Sequence, residues 1–291
     1  MKKNLSQTAL AVVVCSSLLF TACNKKDNEA QPQPEETAVQ DNNTGFNESE
    51  DLVSVSEVVL DNSDRSSNMR TSAEQTTFTG LNGATITITP KGTNATGRVV
   101  IDFGQEINYQ GKTRKGKVII TYTDVYRVSG AVRTITFDNY YVNDTKITGS
   151  KTITFTNNVS RESAVFSASI VSDIIFTTKD SKTFTWASTR TRTYDTKGTL
   201  SNRNDDELTL TGRASGITRN NIAFTALITT PLLIKASCVS TSGVLPSSGV
   251  LEISPATAGT FVTRVVNYGS GSCDRMVNVT VGSQSFDVTV R

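Results

Sequence analysis

The sequence predicts an all-β protein: a long antiparallel meander, laid out as an open sheet, a sandwich or a partial barrel, that follows a disordered tether and one short helix. Three observations predict it. From about Thr76 onward, apolar and polar residues alternate with a period of two in runs rich in Val, Ile, Thr, Tyr and Phe. That is the pattern of half-buried antiparallel strands. Short turn pairs separate the runs: Asn82-Gly83, Ser129-Gly130, Asn143-Asp144 and Gly282-Ser283. Loops of this kind join strands that are neighbours in both sequence and space. No long helical pattern interrupts residues 76–291.

Taken in order, residues 1–22 read as a lipoprotein signal peptide. Lys2 and Lys3 give a positive start, Ala9 to Phe20 an apolar stretch, and Phe20-Thr21-Ala22 a run into Cys23. The stretch is shorter than the roughly 20 apolar residues a spanning helix needs. The commonest lipobox has Leu where this chain has Phe20. Lipidation is expected on Cys23, whose thiol would take the diacylglyceryl group. Several acyl chains, at roughly 0.8 kcal/mol per buried CH2, anchor far more firmly than one. Asn24 follows rather than Asp, which favours the outer membrane, with the body on the periplasmic side or at the cell surface.

Residues 23–75 carry four basic and twelve acidic side chains, a net charge of −8, whereas residues 76–291 carry 23 and 15, a net of +8. The acidic part, rich in Asn, Gln, Glu and Pro up to about residue 46, reads as a flexible tether. A short helix is expected within it at 47–60: Asn47 with Glu50 fits a capping-box variant, and Leu52, Val55 and Val59 share a face.

In the β domain, 76–291, Ile147, Gly149, Lys151, Ile153 and Phe155 share one face, with Thr on the other. Ile222, Phe224, Ala226 and Ile228 form a second such set, Val277, Val279 and Val281 a third, and Phe286, Val288 and Val290 a fourth. Ile147-Thr148-Gly149 and Leu210-Thr211-Gly212 begin two similar hairpins, which suggests either a duplication or shared strand-and-turn chemistry. From 238 to 291 the texture shifts to shorter strands, either a small subdomain or the last strands of the same sheet.

The stretches Gly111–Tyr122 and Thr134–Asp144, with Thr229-Thr230-Pro231-Leu232, Ser248–Ile253 and Tyr268–Cys273, resemble a family of predicted lipoproteins common in Bacteroides- and Flavobacterium-type bacteria. The likeness covers most of residues 97–291. It implies the envelope address and the β architecture, and it brings no catalytic residues. Members of that family often carry a further Cys in the loop corresponding to Gly104–Gln110; this chain has none there, so a more elaborate disulfide pattern does not transfer.

With Cys15 in the signal and Cys23 lipidated, Cys238 and Cys273 remain. In an exported protein they read as a disulfide, with two separate buried thiols as the alternative. The chain has no histidine, which removes the usual Ser-His-Asp and Cys-His catalysis and the commonest catalytic zinc ligand. Asp102, Glu106, Asp138 and Asp173 are carboxylates that nothing in the sequence pairs, and Asp205-Asp206-Glu207 lacks the spacing of a calcium loop. No catalytic residue, metal ligand or cofactor is expected, nor a nucleic-acid partner.

One strand is suggestive. Alternation puts Phe184, Trp186, Arg190, Arg192 and Tyr194 on one face. Trp186, Arg190, Arg192 and Tyr194 could stack on a sugar or hold an anionic group. The competing reading is a strand whose first half faces the core and whose arginines reach solvent. The expectation is a non-enzymatic, membrane-anchored interaction module for a carbohydrate or protein ligand. The alternative is a periplasmic lipid- or lipoprotein-handling protein whose curved sheet shelters an acyl chain. A hydrolase ranks behind both.

Overall fold

Short turns dictate the topology. The structure is a computed structural model that describes residues 34–60, 74–92, 96–124, 128–157, 165–198, 204–238 and 245–289. The signal, Cys23 and the start of the tether lie outside the described residues. The strands are β1 (Thr76–Gly80), β2 (Ala84–Thr89), β3 (Gly97–Asp102), β4 (Ile107–Tyr109), β5 (Lys112–Tyr122), β6 (Val132–Val142), β7 (Thr145–Phe155) and β8 (Val165–Thr177). They continue with β9 (Thr183–Asp195), β10 (Glu207–Ile217), β11 (Ala223–Lys235), β12 (Ser248–Pro255), β13 (Arg264–Ser270), β14 (Met276–Val281) and β15 (Gln284–Thr289).

These form one open sheet of 15 strands in chain order, with β4 set aside as a flap on β5. Every pairing is antiparallel. The sheet is neither a sandwich nor a closed barrel. At the β6–β7 hairpin Val142 pairs with Thr145, so Asn143 and Asp144 are the whole loop. Both have positive φ, 45° and 64°, a conformation that Asn and Asp tolerate and that matches the strand twist.

Curvature comes from bulges placed along the strands. Register shifts fall beside Gly116 of β5, Gly212 of β10 and Gly249 of β12, with the extra residues on the partner strands β6, β11 and β13. All three glycines, and Gly149 of β7, have positive φ. A Cβ on Gly149 would sit 2.1 Å from the Asp173 carbonyl oxygen, and one on Gly212 would sit 2.3 Å from that of Thr189. A bulge bends its strand and tightens the local twist. The similarity between Ile147-Thr148-Gly149 and Leu210-Thr211-Gly212 therefore marks one device used on two strands, a positive-φ glycine pressed against one neighbour's carbonyl and standing beside a register shift with the other.

The sheet presents a buried inner face, including Ile120, Ile135, Ile153, Ile174, Phe184, Leu210 and Phe224. The outer face is hydroxyl-rich, with Thr189, Thr191, Thr225 and Thr229 exposed. What covers the inner face is helix α1, Pro34–Leu60, 27 residues long. This corrects the expected helix at 47–60: it begins at Pro34, inside the stretch read as tether. Pro34 suits the first helical position, and Glu35 and Glu36 favour the positive end of the helix dipole. The buried residues of α1 form a helical stripe: Thr37-Ala38, Asp41-Asn42, Gly45-Phe46, Ser49-Glu50, Leu52-Val53, Val55-Ser56 and Val59-Leu60. Its spacing is helical throughout, but its first half is polar, so a hydrophobicity pattern does not show it. The second half holds Leu52, Val53, Val55, Val59 and Leu60, all nearly inaccessible. Each such side chain contributes roughly 1.5–3 kcal/mol on burial.

Residues 238–289 continue the same sheet and are not a subdomain. Cys238 and Cys273 are bridged, so the alternative of two separate thiols does not hold. The bridge ties the turn after β11 to the loop between β13 and β14. Phe286 and Val288 do share a face, as their alternation predicts, but they stay 47 % and 41 % exposed, while Val277, paired with Val288 on β14, is buried. Val290 lies outside the described residues.

Candidate functional site

The inner wall and α1 meet through charge. Arg114 of β5 is fully buried and grips Asp51 with both terminal nitrogens, at 2.7 and 2.9 Å, while Nη1 also donates to the Tyr140 hydroxyl at 2.8 Å. Burial disfavours its charge, but Asp51 and Tyr140 outweigh this and hold its pKa above the usual guanidinium value. Lys112 reaches Glu48 at 2.8 Å; burial raises the Glu48 pKa and Lys112 opposes the rise. Beyond β10, Arg219 binds buried Asp41 through its backbone N–H and its guanidinium. Asn220 donates to Thr37 at 3.1 Å. The acidic N-terminal segment and the basic body, separated in the sequence, are the two sides of one interface.

Strand β9 carries the residues singled out from the sequence. Trp186 is completely buried and donates its ring N–H to Asn42 at 3.2 Å. Gly45 lies flat on that ring, and a Cβ there would sit 2.3 Å from it. Glycine in a helix interior costs about 1 kcal/mol relative to Ala, so this contact repays a local penalty. Arg190, only 3 % exposed, lies 4.6 Å from the Phe46 ring centroid and 4.9 Å from that of Trp186. Burial pushes its pKa down to about 10. Arg192 lies 3.7 Å from Glu57 and 4.0 Å from Glu50. Tyr194 donates its hydroxyl to buried Asp206.

Trp186, Arg190, Arg192 and Tyr194 therefore do share a face, as expected, but it is the face turned toward α1. The competing expectation, that the arginines reach solvent, is corrected: bulk water is replaced by Phe46, Glu50 and Glu57 of the helix. Asp206 serves Tyr194, and Glu207 pairs with Lys197 at 2.6 Å. Asp102 and Asp138 fall either side of Lys117 in the strand register.

Three wall residues escaped the sequence reading as a group. Lys151, Ser172 and Ser188 stand in one cross-strand row over β7, β8 and β9, and all are buried. Lys151 donates to the carbonyl and hydroxyl of Ser49. Its pKa is pushed down to about 7 by burial; Glu50 opposes this, while the charges of Arg192 and Arg190 add to it. A lysine among Ile147, Ile153 and Phe155 was the available signal; the serine partners follow only from register.

The outer face carries a trough of about 690 Å³ over β8–β11. Two cross-strand rows line it: Val171, Thr189, Arg213 and Leu227, then Asp173, Ala187, Ser215 and Thr225. Val171 and Leu227 are both 50 % exposed. Among the described residues no helix is long and apolar enough to cross a membrane. Comparison with family models, with curated proteins and with solved structures finds no match to this chain.

Proposed function

We propose that this protein is a non-enzymatic binding module of the cell envelope, an outer-membrane lipoprotein held to the membrane through lipidated Cys23. The observation that carries the reading is the division of labour between the two faces of the sheet. The inner face is filled by the chain's own helix, and the outer face offers a trough with two exposed aliphatic side chains between hydroxyls, a carboxylate and a guanidinium. Its lining residues include no aromatic ring for a sugar to stack on, which favours a polypeptide ligand over a glycan. Apolar anchors ringed by polar groups are the usual make-up of a protein-binding patch.

The test is a peptide array and a glycan array probed with the purified chain, each repeated with Val171→Asp/Leu227→Asp. Peptide binding lost in that variant supports the reading. Glycan binding that the variant leaves intact removes it. Protease treatment of intact and lysed cells then decides between the cell surface and the periplasm. A second reading, lipid or lipoprotein handling, is favoured by one observation: the inner face of the open sheet carries the buried cations Lys151 and Arg190 among apolar side chains.

A further inference from the structure

We infer that the inner wall beneath α1 is a closed binding site for an anionic amphiphile, a single aliphatic chain with a phosphate-type head, and that α1 is the gate. This deepens the lipid-handling reading and is independent of the trough.

The head-group site is made of Lys151, Ser172, Ser188, Arg190 and Arg192. Register sets them on three successive rows of one face: Lys151 pairs with Ser172 and Ser172 with Ser188 in the first, Ile153, Ile170 and Arg190 form the second, and Phe155, Ala168 and Arg192 the third. Among the described residues the Ser172 and Ser188 hydroxyls have no hydrogen-bond partner, nor do Nε and Nη1 of either arginine. Both serines and Arg190 are more than nine-tenths buried. Leaving a buried donor unsatisfied costs about 1–3 kcal/mol, more for a charged group, so a wall that holds this many is matched to something other than what covers it.

The helix is a poor match for these donors. Glu50 Oε2 is buried without a hydrogen-bond partner and stays 4.0 Å from Arg192 Nη1. Three cations thus face two helix carboxylates, Glu50 and Glu57, which stay 4.0 and 3.7 Å from Arg192 Nη1, beyond hydrogen-bonding reach. A tetrahedral oxyanion carries several acceptor oxygens and can take donors from two serines and two guanidinium groups together. Apolar side chains flank the polar row: Ile174 and Trp186 on one side, with Ile147 and Phe176 one row further, and Ile153 and Ile170 beside Arg190 on the other, all buried. They supply the lining for the chain. The sheet is open rather than closed, so α1 can leave without breaking a strand pair.

Three ligands are titrated into the purified full chain: lysophosphatidic acid below its micellar concentration, lysophosphatidylcholine and inorganic phosphate. Lysophosphatidic acid binds, with the amides of α1 losing hydrogen-exchange protection as it does. Glu50→Gln tightens it at least threefold by removing a competing carboxylate, and Arg190→Gln weakens it at least tenfold. A staple between Thr37→Cys and Asn220→Cys, which are in contact, abolishes it while circular dichroism stays unchanged. Lysophosphatidylcholine and phosphate bind far more weakly. Lysophosphatidic acid bound equally by Arg190→Gln would keep lipid handling but remove this site. Binding that survives the staple would remove the gate. Phosphate bound as tightly as the lipid would remove the chain groove, and no binding to any form, Glu50→Gln included, would overturn the whole inference.

Discussion

Strands β7–β11 and the last hairpin, β14–β15, are written in the same alternating pattern and end in opposite surroundings. In the first region one face of every strand is sealed beneath α1 or against its neighbours, and Trp186, Ile174 and Phe184 are essentially inaccessible. In the second, β14 still buries Val277, but Phe286 and Val288 on the same face of β15 stand open to solvent, and β15 is the last strand of the sheet. The difference lies in what each region has to lean on. The centre leans on a helix supplied by the acidic segment, whereas the end leans on ladder hydrogen bonds and the Cys238–Cys273 bridge. Period two selects strands in both places, but only a second layer turns an apolar face into a core.

That contrast can be broken in graded steps. The largest effect is expected at Trp186→Ala, which empties the contact under Gly45 and Arg190 and should cost about 3–5 kcal/mol in urea unfolding followed by circular dichroism. A loss below about 1 kcal/mol would mean that α1 does not lean on this ring. Removing the bridge with Cys238→Ser/Cys273→Ser should cost about 3–4 kcal/mol on the chain-entropy estimate. Hydrogen exchange should show the loss in β12–β15 while α1 keeps its protection. Loss of protection in α1 as well would erase the distinction between the regions.

Gly212→Ala comes next. Its φ of 118° and the Thr189 carbonyl 2.3 Å from the added methyl predict a loss of about 2 kcal/mol. A wild-type midpoint would show that the close approach of β10 to β9 is dispensable.

The pH dependence is smaller and has a definite sign. Lys151 titrates near 7 in the folded protein, well below an ordinary lysine. Between about pH 7 and pH 10 the unfolded chain therefore binds more protons than the folded one, and this residue makes stability rise with pH, by at most about 1.4 kcal/mol per unit. Lys151→Met should remove that slope from denaturant midpoints measured at pH 7 to 9. An unchanged slope would mean that the ammonium keeps its proton against Ser49. Last, Val288→Thr on the open hairpin should stay within about 0.5 kcal/mol of wild type; a larger loss would show a cover for that face in solution.

Strands, their antiparallel order and most turns were readable from the chain alone, because alternation and turn residues act over a few positions and need no distant partner. Asn143-Asp144 and Gly282-Ser283 specify hairpins wherever they stand, and Lys151 amid isoleucines and Phe155 already marked a polar point on an apolar face. Tertiary structure decided where that face points and what meets it. The start of α1 is missed because its buried stripe, Ala38 and Phe46 apart, is Thr37, Asp41, Asn42 and Gly45, whose counterparts are Asn220, Arg219 and Trp186 on strands or loops more than a hundred residues away. Hydrophobic periodicity records burial only against apolar partners, and here charge and hydrogen bonding take its place. Trp186, Arg190, Arg192 and Tyr194 were legible as one face. That this face is shut under the chain's own helix, with Ser172 and Ser188 brought beside it by register, depends on contacts between segments that no local pattern encodes.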